Sequence, residues 1–170
     1  MAYGGRVRFE EGSMRIFSSA RIVVSPDMLD IDEANFIGDF VFIALNGLLM
    51  GRGSQICAGA KLVGMGRVSI GRDSVVGYDA HLITGTDTPE GTYMNDAQPE
   101  SLRSVVRGSI TIGDRCFTGS HVVICVSKEN PDIDIGNDVV IMAHSYVDRS
   151  IPSNTIYGKW GSEEISKPRF

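Results

Sequence analysis

The chain is poor in several ingredients that define familiar protein classes. Aromatic residues make up 8% of its 170 residues, with one tryptophan, so no large aromatic core can form. There are 6 prolines and 3 cysteines. Cys57, Cys116 and Cys125 make no C-x-x-C pair, and an odd count suits a reducing cytoplasm. Lys and Arg number 16 against 21 Asp and Glu, giving a net charge of −5. With a pI near 5.1, this argues against a nucleic-acid surface, which needs a basic face to neutralise phosphates. No run of 18 apolar residues and no secretory leader are found, so a cytoplasmic chain with no transmembrane segment is expected. Glycine is plentiful at 20, and hydrophobic residues reach 42%, ordinary for one globular domain.

A period of six runs through the chain. Ile37 and Ile43 are six apart; so are Met50, Ile56 and Leu62; Ile70, Val76 and Leu82; Ile112, Thr118 and Ile124; and Ile135, Ile141 and Val147. Glycine follows the aliphatic at Gly38, Gly51, Gly71, Gly77, Gly113, Gly119 and Gly136. A small or β-branched residue sits four after it, as at Val41, Ser54, Ala60, Ser74, Ala80, Cys116, Val122, Val139 and Ser145. Helices repeat every 3.6 residues and strands every 2, so neither explains six. A parallel β-helix does: each hexapeptide is one short strand plus one corner, and three close a triangular coil of about 18 residues. The aliphatic points inward and stacks on its counterpart in the next coil. The residue four on points in near a corner, and the glycine tolerates tight backbone beside that corner. Cys116 falls in an inward slot and reads as core, not nucleophile.

Residues 1–13 carry no repeat and are expected to be an arm. Ile16, Ile22 and Ile31 are the inward candidates of a degenerate first coil, with a turn at Ser25-Pro26-Asp27. The β-helix is assigned to 14–157 and a terminal cap to 158–170, since the rhythm breaks after Tyr157. Two stretches interrupt the coils: a long loop, 84–107, and a short one from Val126 to Asp134. Insertions in a solenoid leave at a corner and often form the binding face.

The repeat resembles the hexapeptide-repeat acyltransferases over roughly residues 15–157. The stretch ICAGAKLVGMGRVSIGRDSVVGYDAHLITGTDTPEGTYM looks like the sugar-acylating branch. Its loop motif, Thr86, Asp87, Gly91, Tyr93 and Met94, looks most like members acting on nucleotide-linked amino-dideoxy sugars, while ITIGDRCFTGSHVVI is similar to galactoside and maltose acetyltransferases. The resemblance implies an all-β fold, a left-handed parallel β-helix, against the right-handed crossover rule. It also implies transfer of an acetyl or similar small acyl group from acetyl-CoA to an amino or hydroxyl group of a sugar or nucleotide-linked sugar. It further implies a homotrimer with active sites between subunits. Two positions depart from the family pattern. Many sugar O-acetyltransferases carry Thr-Gly-His at the loop mouth, where this chain reads Thr84-Gly85-Thr86-Asp87. The family's Gly-x-Pro-Ala-Lys ending is replaced by Gly158-Lys159-Trp160-Gly161-Ser162. A diverged non-catalytic scaffold and a non-sugar acceptor are the alternatives.

An amine asks less of a base than a hydroxyl does, and a carboxylate can orient it and take its proton late. Asp87 stands where the family places its catalytic group; His81, outward beside the loop root, is the competing base. Thr84, Thr86, Tyr93 and Asn95 are the expected acceptor contacts. The galactoside pattern carries coenzyme A contacts onto Ser120, Ala143, Asp148 and Arg149. Lys159 or Lys167 would meet the 3′-phosphate, and Trp160 would stack on adenine or cover the prism end. Asp79, His121 and His144 share one slot in successive coils, with the histidines placed to stack. That column faces solvent or the pantetheine groove, and no metal is expected.

Overall fold

The computed structural model describes residues 6–7, 15–25, 28–160 and 163–170, and leaves out the side chains of 6–7, 159–160 and 163–165. Three parallel sheets form the walls of a prism of about six turns that matches a left-handed β-helix. The first wall stacks Arg6–Val7, Leu29–Ile31, Gly47–Met50, Arg67–Ile70, Ser109–Ile112 and Asp132–Ile135. The second begins Arg15–Ile16, Phe36–Ile37, Gln55–Ile56 and Val75–Val76, and continues through Phe117–Thr118 and Val140–Ile141. The third runs from Arg21–Val24 through Phe42–Leu45, Lys61–Val63, His81–Ile83 and Val123–Cys125 to Tyr146–Val147. Among the described residues no helix is long and apolar enough to cross a membrane.

The period of six is the register of this stack. Ile31, Met50, Ile70, Ile112 and Ile135 pair rung to rung in the first wall. Ile43, Leu62, Leu82, Ile124 and Val147 do so in the third. All fourteen aliphatic and threonine positions of the repeat are at most 2% exposed. Each buried aliphatic is worth roughly 1.5–3 kcal/mol, so the columns hold the fold. The first wall adds a second inward column, Leu29, Leu48, Val68, Ile110 and Ile133, at 0 to 5% exposure. Its strands are longer, and alternate residues face the core.

The tight backbone expected at the corner glycines is close approach between coils, not left-handed conformation. The glycines after the aliphatics do not adopt left-handed backbone. That conformation falls two residues later, at Phe40 (φ 57°), Asp73 (55°), Asp79 (51°), Arg115 (55°), His121 (56°) and Asp138 (59°), and at His144 (61°), where Met142 stands in the glycine position. The glycines serve close approach between coils. A Cβ on Gly38 would lie 2.6 Å from the Ala58 nitrogen, and one on Gly119 would lie 2.7 Å from the Ala143 Cα.

The ends differ from the sequence expectation. Arg6–Val7 pair with Leu29–Ile31 as a rung; the rest of the expected arm, and Pro26 and Asp27 of the expected turn, lie outside the described residues. Ile16 pairs in register with Ile37 but is 40% exposed, because it belongs to the first coil of its wall. The expected cap is a hairpin: Thr155–Trp160 continues the second wall in parallel and turns back into antiparallel Glu163–Pro168. The boundary expected after Tyr157 therefore falls inside a strand. The tail extends the sheet edgewise.

Candidate active site

The long loop leaves between the third and first walls, where His81–Ile83 gives way to Ser109–Ile112. Its root is a regular hairpin. Gly85–Asp87 pairs antiparallel with Val105–Arg107, and Val106 is 6% exposed against the core. A short 3-10 turn spans Glu100–Leu102. The second excursion leaves at the same corner, and Lys128 Nζ reaches Glu90 Oε2 of the long loop at 3.0 Å.

A depression at this root is lined by Gly64, Met65, Thr86, Asp87, Asp96 and Arg103. Arg103 donates from Nε and Nη2, each at 2.7 Å, to the two oxygens of Asp87. These bonds, and the charges of Arg103 and Arg107, hold the Asp87 carboxyl below its ordinary range, so it is an anion at neutral pH. Thr86 is exposed on the rim. Thr84 is not available there: it is fully buried, donating to the Val63 carbonyl and accepting from the Gly66 N–H, both at 2.9 Å. The structure gives it the task of joining coils. Tyr93 is 43% exposed, with its N–H on the Leu102 carbonyl. The Asn95 carboxamide oxygen accepts from the Ala97 N–H at 3.1 Å, closing its own turn. His81 sits half-buried on the outward face of the third wall between Lys61 and Val123, outside the lining of this depression. Arg103 and Asp96 were missed from sequence, because nothing in a loop without period marks which charges meet.

A second groove lies at the later coils, lined by His144, Ser145, Tyr146, Asp148, Arg149, Tyr157 and Gly158. It brings together Asp148 and Arg149, whose side chains meet at 2.9 Å. The His121 and His144 rings stack at 5.0 Å and 18°, as their shared slot implied. Ser120 and Ala143 lie at the neighbouring corners, the Ser120 carbonyl accepting from the His144 N–H at 2.9 Å. Lys167 is exposed on the tail strand; Lys159 and Trp160 are placed only by their backbone, and their side chains lie outside the described residues. The Ser145 hydroxyl is buried with no partner among the described residues. Burial raises the pKa of all three thiols, which suits packing and not nucleophilic attack.

No protein-family model matches the chain. WbbJ of Escherichia coli, assigned to lipopolysaccharide biosynthesis as an O-acetyl transferase, is 30% identical over 106 residues, covering 59% of this chain. The chain spans about half the length of that relative, 50%. A variant of the N-acyltransferase AntD from Bacillus cereus, in complex with dTDP-4-amino-4,6-dideoxyglucose and coenzyme A, superposes with a TM-score of 0.80. It is 21% identical and covers 92% of this chain and 82% of its own. A hexapeptide-repeat acetyltransferase from Vibrio cholerae gives 0.54 at 17% identity, over 89% and 72%. The chain thus has the left-handed β-helix fold of the hexapeptide-repeat acyltransferases.

Proposed function

We propose that the protein is an acyltransferase that moves an acetyl or similar small acyl group from coenzyme A to an amino group of a sugar or nucleotide-linked sugar. The observation that carries this reading is Asp87: an ionised carboxylate, aimed by Arg103, in a depression at the loop mouth where a hydroxyl-activating histidine is missing. It is supported by the similarity to AntD, which was captured with an amino sugar nucleotide and coenzyme A. Acyl transfer from a thioester needs a nucleophile, donors for the oxyanion and both reactants held together. Asp87 orients the amine, with Thr86, Tyr93 and Asn95 as further acceptor contacts. Acetyl-CoA lies in the second groove against Ser120, Ala143, Asp148 and Arg149, with Lys159 and Trp160 beyond it.

The loop depression and the groove belong to different coils. We read the assembly as a homotrimer in which the loop of one copy meets the groove of the next, closed cyclic symmetry ending the association. Half-buried apolar residues on the outward third wall, Val63, Ile83 and Val123, favour this. A cytoplasmic location follows from use of an acyl-CoA and agrees with three free thiols.

A second reading, a hydroxyl acceptor with His81 as base, is favoured by the similarity to WbbJ. Thiol release from acetyl-CoA decides between them. With dTDP-4-amino-4,6-dideoxyglucose and simple sugars as acceptors, the amine is expected to be the better substrate. Asp87→Asn should cut turnover by about 10²–10⁴-fold, and His81→Ala far less. The reverse ranking transfers the role to His81, and no turnover on any amino sugar nucleotide or simple sugar favours a non-catalytic scaffold.

A further inference from the structure

Arg103 is a side chain only 10% exposed, on a loop whose tip is in solvent. Its guanidinium meets both Asp87 oxygens in a fork, and Nη2 also lies 2.6 Å from Asp96 Oδ1. The two carboxylates differ sharply: Asp87 is 18% exposed on the hairpin strand, and Asp96 is 95% exposed on the loop. The other charged group facing Asp87 is Arg107 of the opposite strand, itself paired with Glu100.

We propose that Arg103 is a positioning residue for the acceptor: its fork presents Asp87 as a fixed anion to the amino group, and its bond to Asp96 latches the loop over that anion. This rests on the acyl-transfer reading. A carboxylate has about four lone-pair sites, and the fork uses one on each oxygen. About two sites are left for a substrate N–H, on a carboxylate that lines the depression. Two parallel charge-assisted bonds fix orientation as well as charge. With both oxygens tied to the guanidinium, Asp87 accepts a hydrogen bond from the nitrogen and fixes its direction. The amine lone pair attacks the thioester carbonyl carbon, the C–N bond forms and the C–S bond breaks. The sulfur leaves with the bonding electron pair and takes up the proton that the nitrogen loses, giving an amide and free coenzyme A thiol. The rate should then rise with pH as the acceptor amine deprotonates.

Carbon-13 NMR of aspartate carboxyls, with Asp87→Asn for assignment, tests the first half without any substrate. Arg103→Gln should raise the Asp87 midpoint, and Arg103→Lys should leave it lower than Gln does. A midpoint unmoved by Arg103→Gln overturns the proposal whether or not the wild type is active. Kinetics with acetyl-CoA and dTDP-4-amino-4,6-dideoxyglucose test the second half. Arg103→Gln should lower kcat by about 10–100-fold, the scale of a misplaced reactant, with KM for acetyl-CoA unchanged. Arg103→Lys should recover only part of kcat, because it restores charge but not the fork. Asp96→Asn should raise acceptor KM and keep kcat. Full recovery by Lys, or unchanged KM in Asp96→Asn, overturns the positioning and the latch respectively. If Arg103→Gln fails to fold, the Lys and Asp96 variants carry the test. A wild type that turns over no acceptor ends the acyl-transfer reading, while the titration still judges the fork.

Discussion

Ile70 is 1% exposed in its column between Met50 and Ile112, and two residues on, the Arg72 side chain is 68% exposed. Ile70→Asp places an unpaired charge in that column and should prevent folding. Arg72→Ala breaks only a long surface contact with Asp114 at 3.7 Å and should cost less than about 1 kcal/mol. Thermal melts giving equal effects would contradict the register. Phe40 offers a test of the opposite sign. It is 75% exposed with φ 57°, and left-handed backbone costs a bulky residue roughly 1–2 kcal/mol, which asparagine tolerates better. Phe40→Asn should therefore raise the melting temperature; a lower value would mean that Phe40 packs against something. At this scale the inward register was legible because burial imposes one residue type every six positions. The left-handed slot was not, because it accepts Phe, Asp, Arg and His alike. The glycines, the visible marks at each corner, answer to backbone contact between coils instead.

Among the elements, the limits of the long loop were readable as the places where the register stops after Leu82 and resumes by Ile112. Its interior was not. The Asp87–Arg103 pair joins residues 16 apart with no repeat to signal it, and the short strands of the hairpin root flank a stretch of turn residues, Pro89, Gly91, Asn95 and Pro99, that reads as continuous loop. The tail shows a similar limit: loss of rhythm after Tyr157 marked an end of the coils but not the antiparallel strand that follows. The root holds Val106 against the core, whereas 92–97 are exposed throughout. Replacing residues 90–101 with a short Gly-Ser link, while keeping the hairpin, should shift the melting midpoint by less than about 4 °C, under 1 kcal/mol for a chain this size. The same change should abolish acceptor turnover. Unfolding on replacement would make the loop a structural element.

For the whole molecule, the depression at the mouth of the loop and the groove with Asp148 and Arg149 lie at different levels of the solenoid, and the proposed function assigns the acceptor to the first and coenzyme A to the second. The fold was legible because a solenoid writes its architecture into a period. No period marks the groove, since its lining mixes strand residues Tyr146 and Tyr157 with corner residues; of the positions the resemblance named, Asp148 and Arg149 line it. The account requires that this groove hold coenzyme A. The measurement that tests it most directly is a calorimetric titration of the full chain with acetyl-CoA. The account predicts saturable heat with one equivalent per chain, weakened by Arg149→Ala and unchanged by Asp87→Asn. No heat at high micromolar acetyl-CoA would contradict it.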